Sequence, residues 1–345
     1  MIGDLAVHWQ LALFVFGAGV ILVAGSRLAV LADRLADQTG LGEALVGAVV
    51  LGAATSLSGS ITSVVTAWNG YPSLSFSNAV GGIAVQTLFL VAADAFYRRA
   101  NLEHAAVSLA NIMSGVILVV LLAIIMGATL GPDIAIWNIH PVSIIVPAGY
   151  LVGLRLVREA REAPMWSPYE TDATHHDDED EENTSHSLRS TLVVGLIVLT
   201  AVGAAGWLVA ETGSALSQSL GMSETVVGGL FTSTVTSLPE LVTTIAAVRH
   251  RALQLAVGGI IGGNAFDTLF TAAADVAYRD GSIYHAITRS DQMLVAVAIA
   301  VTGVLLLGLL RRQRSGLGGV GFEGWMIVLI YAAGVAAIVT ANGGL

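Results

Sequence analysis

The chain contains one segment twice, and the second copy begins 181 residues after the first. Residues 40–98 align with residues 221–279 without a gap, and 20 of the 59 positions are identical. Apolar segments match one another through composition alone, but this alignment also keeps polar residues in register, such as the Thr-Ser-Leu triplets at 55–57 and 236–238. We interpret the match as an internal duplication, so the two halves of the chain are expected to share one fold.

The composition is that of a membrane protein. Hydrophobic residues make up 55% of the 345 residues, only 12% are charged, and the mean hydropathy is +0.77, far from the average of soluble domains. There is no cysteine, which excludes disulfides and thiolate metal sites. The apolar run at 11–30 is too long for the core of a signal peptide, so we expect it to remain as the first membrane helix.

Windows of about 20 apolar residues predict ten membrane helices and therefore an all-α, polytopic membrane protein. The predicted spans are 8–31, 43–67, 78–97, 105–127, 138–158, 190–210, 224–248, 255–277, 291–311 and 323–342. All fifteen basic residues are arginines, and thirteen of them fall in the odd-numbered loops. The positive-inside rule puts those loops in the cytoplasm. We therefore expect a multi-pass protein of the cell membrane with both termini outside.

Five helices per copy is an odd number, so the second copy would enter the membrane from the opposite face, as an inverted repeat. The expected units are a first five-helix repeat at 1–158, an acidic cytoplasmic linker at 159–189 and a second five-helix repeat at 190–345. The linker contains the run His-His-Asp-Asp-Glu-Asp-Glu-Glu at 175–182. A solvated linker is the favoured interpretation of such a charge block, and a weak metal-binding or regulatory tail is the alternative.

Polar residues interrupt the apolar segment at 226–244. Thr236, Ser237, Pro239 and Glu240 stand near its centre, where a carboxylate costs roughly 2.5–3.5 kcal/mol on insertion scales. A helix broken at the proline would present threonine and serine oxygens beside the carboxylate. Oxygen ligands with a negative charge and no nitrogen or sulfur favour hard cations such as Ca²⁺, Na⁺ or H⁺. A simple proline kink with a packed, protonated Glu240 is the alternative.

A second polar element follows on the next predicted helix, in the sequence Gly-Gly-Asn-Ala-Phe-Asp at 262–267. Asn264 and Asp267 are three residues apart, which puts them on one side of a helix. Close helix packing would explain the two glycines equally well. It does not explain a carboxylate in the membrane, so we expect Asp267 to point at the same place as Asn264.

Together these residues resemble a known family. The pattern T-S-L-P-E-L on one helix and G-G-N-x-F-D-x-L on the next, duplicated and inverted in ten spans, is similar to the α-repeats of the cation/Ca²⁺ exchanger superfamily, to which sodium/calcium exchangers belong. The resemblance covers both copies and the whole topology. It implies Glu240, Thr236, Ser237 and Asn264 as ion ligands, and Asp267 stands where potassium-dependent members have an aspartate.

The resemblance also implies a function. A member of the family would be a secondary active antiporter that exchanges Ca²⁺ against Na⁺ or H⁺ by alternating access at a site in the middle of the membrane. Its partners would be membrane lipid and the transported inorganic cations, with no resident cofactor and no nucleic acid. The oligomeric state stays open, a monomer being possible.

The first copy departs from the family pattern. Ser58 and Gly59 stand in place of Pro-Glu, Ile83 stands where the asparagine is expected, and Gln86 stands opposite Asp267. The resemblance therefore implies only one of the two glutamates of the familiar site.

What remains in the first copy is Thr55 and Ser56 as candidate ligands. Glu240 and Asp267 together could balance one Ca²⁺, whereas Glu240 alone could balance one Na⁺ or one proton. The alternative to a Ca²⁺ antiporter is thus a non-transporting paralogue, or a monovalent cation/proton exchanger, with a degenerate first-repeat site. An intramembrane enzyme is not expected, because the chain contains no H-E-x-x-H and no G-x-S-x-G motif.

Two further pairs of charged residues match between the copies. Asp94 and Arg98, like Asp275 and Arg279, are spaced i, i+4 near the ends of predicted helices. Such spacing favours ion pairs at the membrane interface over a role in permeation.

Overall fold

The computed structural model describes residues 2–28, 30–31, 52–97, 100–106, 108–164, 166–167, 169 and 188–341. Within these ranges the protein is helical and has no strand, apart from an isolated bridge between Ile136 and Ile139. The predicted all-α class is thereby confirmed for the described part of the chain. Most of the predicted linker lies outside it.

Eleven helices carry the fold of the described ranges. They are α1 (Val7–Val20, continued by a π-helical stretch at Ile21–Gly25), α2 (Leu57–Trp68), α3 (Pro72–Phe96), α4 (Leu109–Leu130), α5 (Val142–Glu162), α6 (Leu188–Leu220), α7 (Glu224–Val226, a π-helical stretch at Val227–Thr232, and Ser233–Thr236), α8 (Leu238–Arg249), α9 (Leu253–Ala277), α10 (Arg289–Arg311) and α11 (Phe322–Ala341). Short helices at Leu102–Ala105 and Ile283–Ala286 follow α3 and α9.

Seven of these helices are long and apolar enough to cross a membrane, with mean hydropathies between 1.2 and 2.8. They are α1, α3, α4, α6, α9, α10 and α11, and each overlaps a different one of the ten predicted spans. Large apolar side chains such as Phe16, Leu196 and Ile197 are more than 60% exposed, as expected of surfaces that face lipid. The protein is therefore a multi-pass membrane protein.

The other three predicted spans differ for identifiable reasons. The last turns of α5 carry the exposed ion pairs Arg155–Glu159 and Arg158–Glu162, so its C-terminal end is polar. The span at 224–248 is two helices, α7 and α8, and part of the span at 43–67 lies outside the described residues. Ten membrane helices thus remain a prediction.

Helix boundaries repeat along the chain with the same 181-residue shift as the sequence. The shift relates α2 to α8, α3 to α9, and the first short helix to the second, with both ends of each helix matching. The short helix at Ile283–Ala286 lies beyond the aligned segment. The duplication therefore extends further in structure than in sequence identity.

The two copies run in opposite directions. At one end of the bundle, the Phe76 ring near the start of α3 packs against Tyr284, just beyond the end of α9, with ring centroids 6.2 Å apart. At the other end, Leu90 near the end of α3 shares an apolar cluster with Leu253 at the start of α9. Because α3 and its equivalent helix α9 are antiparallel, one copy is inverted relative to the other.

Helix α3 meets the π-helical stretch of α7 backbone to backbone. A Cβ atom on Gly81 would lie 2.6 Å from the carbonyl oxygen of Gly229, and one on Gly228 would lie 2.4 Å from that of Leu74. No other residue permits so close an approach. The contact brings α3 against the point where α7 gives way to α8.

Asp94 and Asp275 have the same structural role in the two copies. Asp94 Oδ1 accepts a hydrogen bond from Leu102 N at 2.6 Å, and Asp275 Oδ1 accepts one from Ile283 N at 2.8 Å. In both cases the donor lies eight residues further along the chain. Each carboxylate thus caps the short helix that follows its own long helix.

The predicted ion pair of Asp275 with Arg279 is wrong. The Asp275 side chain is fully buried and accepts from backbone and hydroxyl donors. The Arg279 guanidinium lies instead over the ring of Trp68, 5.6 Å from its centroid. A buried carboxylate is satisfied by fixed neutral donors more cheaply than by a guanidinium that must leave water. Arg98, the other predicted partner, is outside the described residues.

His104 and His285, which the repeat also relates, contact helix ends of the opposite copy. His104 Nδ1 lies 2.6 Å from the carbonyl oxygen of Arg312, just after α10. His285 Nε2 lies 3.1 Å from the carbonyl oxygen of Gly131, just after α4. Gly131 and Arg312 are related by the same shift. Each copy therefore contacts the other through an equivalent histidine, by Nδ1 at one end of the bundle and by Nε2 at the other.

Candidate cation site

The site is built on two helix breaks. Helix α7 ends at Thr236 and α8 begins at Leu238, with Ser237 between them at φ −93° and ψ 4°. Pro239 follows in the first turn of α8, where its missing N–H costs no hydrogen bond. The first copy turns in the same way at Ser56, with φ −84° and ψ 5°, although no proline follows. The break predicted from the proline is therefore present in both copies.

Hydrogen bonds hold the two breaks against each other. The Ser56 hydroxyl donates to Glu240 Oε1 at 3.1 Å, and the Ser58 hydroxyl donates to the Thr236 carbonyl oxygen at 3.0 Å. All four residues are buried, with 5% of Glu240 exposed. The glutamate of the second copy thus lies beside the Thr-Ser motif of the first.

Helices α3 and α9 add a second set of polar groups. Gln86 Nε2 donates to Asp267 Oδ2 at 2.6 Å and to the Ser237 hydroxyl at 3.2 Å. Asp267 is 2% exposed. The amide therefore connects the carboxylate of α9 to the break between α7 and α8.

These side chains surround a cavity of about 10 Å³. It is lined by Ser56, Gly59, Asn78, Ala79, Gly82, Gln86, Thr236, Ser237, Glu240, Asp267 and Phe270. A cavity of roughly 10–15 Å³ on this measure holds about one water molecule. The space fits one small species, such as a dehydrated cation.

Three oxygen atoms of the cavity residues have no hydrogen-bond donor among the described residues. They are Glu240 Oε2, Asp267 Oδ1 and Gln86 Oε1, and all are buried. A buried polar atom without a partner costs about 1–3 kcal/mol, and more if it is charged. Three acceptors without a nearby donor form an arrangement that a bound cation would satisfy.

Six of the seven predicted site residues come together here. Thr236, Ser237, Glu240, Asp267 and Ser56 line the cavity, and the Thr55 hydroxyl lies within hydrogen-bonding reach of the Glu240 carboxyl.

Asn264 is the seventh predicted residue, and it lies beside the cavity rather than on it. Its Nδ2 donates to the Thr87 hydroxyl at 3.1 Å, and its side chain is buried. Positions three apart on a helix point about 60° from each other, because successive residues turn by roughly 100°. That difference directs Asn264 towards α3 while Asp267 faces the cavity.

Asn78 is a site residue that the sequence reasoning missed. Its Nδ2 donates to the Gly59 carbonyl oxygen at 3.1 Å, and its Oδ1 accepts from the Thr232 hydroxyl at 2.8 Å. The duplication did not reveal it, because Gly259 stands at its position in the second copy. The available signal was the amide itself, since a polar side chain inside an apolar membrane helix is rarely without a role.

Phe270 lies over Gly59, the position at which the second copy has Glu240. A Cβ atom on Gly59 would come within 3.1 Å of Phe270 Cε2. The Phe270 ring is itself held edge-on by Phe266, with centroids 5.9 Å apart. The cavity therefore has two carboxyl groups, and an aromatic ring stands against the place from which a third would extend.

Fold and site together define a multi-pass membrane protein made of two inverted repeats around a buried, acidic, oxygen-lined cavity. The sequence matches the family model described as sodium/calcium exchanger protein over residues 9–149 and 189–340. The chain belongs to this family. Its members are secondary transporters and not enzymes.

The chain is also similar to individual proteins over nearly its whole length. An uncharacterized membrane protein of Methanocaldococcus jannaschii is 25% identical over 326 residues, which cover 92% of this chain and 95% of that protein. The crystal structure of the H⁺/Ca²⁺ exchanger CAX matches with a TM-score of 0.69 at 13% identity, covering 96% of this chain and 88% of that one. The sodium-calcium exchanger NCX_Mj matches with a TM-score of 0.60 at 19% identity, covering 96% and 99%. At these low sequence identities, the structural matches show that this chain has the same fold as those two exchangers.

Proposed function

We propose that this protein is a secondary active cation antiporter that binds its ions at the cavity between Glu240 and Asp267. The observation that carries the proposal is the set of buried oxygens without donors, Glu240 Oε2, Asp267 Oδ1 and Gln86 Oε1, around a space for one small ion. Membership of the exchanger family supports it.

Ca²⁺ is the transported ion that the charges support best. Two ionised carboxylates balance one divalent cation, and Ca²⁺ takes six to eight oxygen ligands. Carboxylate, amide and hydroxyl oxygens of Glu240, Asp267, Gln86, Ser56 and Ser237 are all within this small region.

The counter-ion follows from what is missing in the first copy. With Gly59 in place of a glutamate, the cavity has two carboxyl groups and a volume of about 10 Å³. Several Na⁺ ions would need more oxygen ligands and more space than this. Two protons replace one Ca²⁺ with the same charge and almost no volume, so we favour H⁺ as the counter-ion, with Na⁺ as the alternative.

The inverted repeats supply the means of transport. In transporters of this architecture the two copies move relative to each other and open a fixed central site to each side of the membrane alternately. The antiparallel helices α3 and α9 and the matching breaks at Ser56 and Ser237 support such alternating access here.

The test is ion exchange in liposomes that contain only the purified protein. A pH gradient imposed across the membrane should drive Ca²⁺ uptake against the direction of proton movement, and a Na⁺ gradient at constant pH should drive less. If Na⁺ drives uptake and protons do not, the counter-ion is wrong. If no gradient of any cation drives Ca²⁺ movement, the antiporter itself is excluded.

A second function has one observation in its favour. The Phe270 ring against Gly59 closes the place of the missing first-copy acid, which favours a protein that binds cations without carrying them. Such a protein would gain thermal stability from Ca²⁺ and show no flux in the same liposomes.

A further inference from the structure

A second group of buried acids lies away from the cation cavity. Asp94 at the end of α3, Glu103 in the short helix after it, and Glu323 at the start of α11 are 2%, 2% and 1% exposed. Asp94 is eight residues beyond Gln86, about 12 Å along the helix axis. We call these three residues the acidic corner.

Two carboxyl groups of the acidic corner, those of Glu103 and Glu323, are close enough to bond to each other. Asp94 accepts from Leu102 N, and the carboxyls of Glu103 and Glu323 are within hydrogen-bonding reach of each other. A carboxylate has no hydrogen to donate, so two carboxyl groups form a hydrogen bond only when one of them is protonated. The Oε2 atoms of Glu103 and Glu323 are buried without a donor among the described residues.

Glycines fix Glu323 in this position. A Cβ atom on Gly308 would lie 2.5 Å from Glu323 Cγ, and one on Gly321 would collide with the Glu323 carboxyl. The side chain is thus seated in a notch that only glycine can form at both positions. The acid is built into the contact between α10 and α11.

The equivalent region of the second copy, around Asp275, shows which hydrogen bonds are sufficient to stabilise such a corner. There, Asp275 accepts from His140 N at 2.7 Å, from the Ser143 hydroxyl at 2.6 Å and from Ile283 N at 2.8 Å. Neutral donors satisfy this single acid completely.

The acids added in the first copy have neutral counterparts in the second. Tyr284 stands at the position of Glu103, and Val142 stands at that of Glu323. The corner of the second copy has one buried carboxylate, Asp275, and the nearby acid Asp133 is exposed, 3.5 Å from His285. The fold therefore does not require buried acids such as Glu103 and Glu323. Two buried acids that the fold does not require are expected to have another role.

Other charged groups of the packed elements are already engaged. His104 Nδ1 contacts the Arg312 carbonyl oxygen, and the Arg312 guanidinium donates to the His104 carbonyl at 3.1 Å. The Arg311 guanidinium lies over the ring of Phe322.

Arg98 and Arg99, which precede the short helix, are outside the described residues. Burial first, and then the neighbouring charges of Asp94 and Glu323, raise the pKa of Glu103 well above its usual range. A proton is therefore retained in the acidic corner under conditions in which an exposed glutamate has lost it.

We propose that Glu103 and Glu323 share one proton and form a proton-binding site, separate from the cation cavity, that holds the end of α3 while it is occupied. Loss of the proton leaves two carboxylates facing each other beside Asp94. Their repulsion loosens the corner at the end of the helix that carries Gln86 and Asn78.

The first measurement is the infrared signal of protonated carboxyl groups in the purified, full-length protein. At neutral pH, Glu103→Gln should remove part of this signal, because the glutamine amide can donate to Glu323 without a proton. Glu240→Gln alters the cavity and must leave the corner's contribution in place. Glu159→Gln, a substitution at a side chain 56% exposed, should change nothing.

The second measurement is thermal stability against pH. An acid whose pKa is raised on folding stabilises the protein at low pH, and that contribution is lost as pH rises through the folded-state pKa. Glutamine does not titrate, so the Glu103→Gln variant does not lose this stability as pH rises. At alkaline pH its Tm should exceed that of the wild type by about 2–4 °C. At mildly acidic pH the two should agree.

If Glu103→Gln does not fold, Glu323→Gln provides the same comparison from the other side of the shared proton. Equal pH dependence in the wild type and either variant, or an unchanged infrared signal, would overturn the proposal. Neither measurement requires transport. The proposal for the acidic corner can therefore be wrong while the proposed antiport is correct, and the proposed antiport can be wrong while the acidic corner is correct.

Discussion

Gln86 donates a hydrogen bond of 2.6 Å to Asp267, the residue that occupies its own position in the other copy of the repeat. One position of the duplicated segment thus supplies a neutral donor from α3 and a carboxylate acceptor from α9. The bond occupies Asp267 Oδ2 and leaves Oδ1 without a donor. The two copies have diverged into complementary partners across the cavity.

Gln86→Leu should weaken cation binding while leaving the fold intact. The substitution removes the donor that orients Asp267 and the amide oxygen of the cavity. Loss of a group that orients a ligand typically reduces metal affinity by about 10- to 100-fold. Calorimetric titration with Ca²⁺ measures the change. Gln218→Leu is the control, because Gln218 is exposed and bonds to Tyr71 instead. An affinity unchanged by Gln86→Leu would place the ion elsewhere.

Glu240→Gln and Asp267→Asn should each reduce Ca²⁺ flux to the level of protein-free liposomes. Each substitution keeps the side-chain volume and removes one of two charges that together balance a divalent cation. Gradient-driven ⁴⁵Ca²⁺ uptake measures the loss. Glu159→Gln, at an exposed ion pair with Arg155, should transport as the wild type does. Full activity in either cavity variant would exclude a site that needs both carboxylates.

Ca²⁺ should stabilise the wild-type protein against heat, and a chelator should reverse the effect. A ligand that binds only the folded state at 100 times its Kd adds about 2.7 kcal/mol. Thermal unfolding in detergent with and without Ca²⁺ measures the shift. The Glu240→Gln variant should not respond, since its cavity has lost a charge. An equal response in that variant would indicate binding outside the cavity.

Gly59→Glu should destabilise the protein, and Phe270→Ala in the same chain should relieve the cost. A Cβ atom at position 59 is already within 3.1 Å of the ring, and overpacking of this kind costs about 1–3 kcal/mol. The double variant has a third carboxyl and more space, so it should take up Na⁺ as a counter-ion. Unfolding measurements and Na⁺-driven Ca²⁺ uptake test the two parts. A stable single variant would mean that the ring moves freely.

Gly81→Ala and Gly262→Ala should have opposite effects, although the repeat makes the two positions equivalent. At Gly81 the new methyl group meets the backbone of Gly229, and nothing lies within 4 Å of one at Gly262. We expect Gly81→Ala to cost about 3 kcal/mol or more. Gly262→Ala should add about 0.5–1 kcal/mol, as alanine does in a helix interior. Equal stabilities would mean that α3 does not approach α7 so closely.

Much of the site could be predicted from the sequence, because its polar and charged residues are unusual in an apolar membrane segment. A proline and a glutamate in an apolar segment predicted the break at Ser237 and the acid beside it. The duplication identified Thr55 and Ser56 as the candidate ligands of the first copy. Both inferences depend on the high cost of polar groups in lipid, which a sequence reveals directly.

The directions of side chains and the contacts between elements distant in sequence could not be predicted. Asn264 and Asp267 are close in sequence, yet only packing against α3 decides which of them faces the cavity. Asn78 and Phe270 enter the site because of a crossing of helices that no spacing encodes. Asp275 accepts hydrogen bonds from groups outside its own helix, whereas the i, i+4 spacing predicted an ion pair with Arg279.

The paired contacts of His104 and His285 bear on how such a chain arose. Each histidine reaches a helix end that the other copy provides, and the buried polar faces of α3 and α9 are covered by each other. A polypeptide with one copy alone would turn those faces towards lipid and leave its histidine without a helix end to contact. Before the gene was duplicated, the ancestral polypeptide is therefore expected to have been stable only as two molecules inserted in opposite orientations.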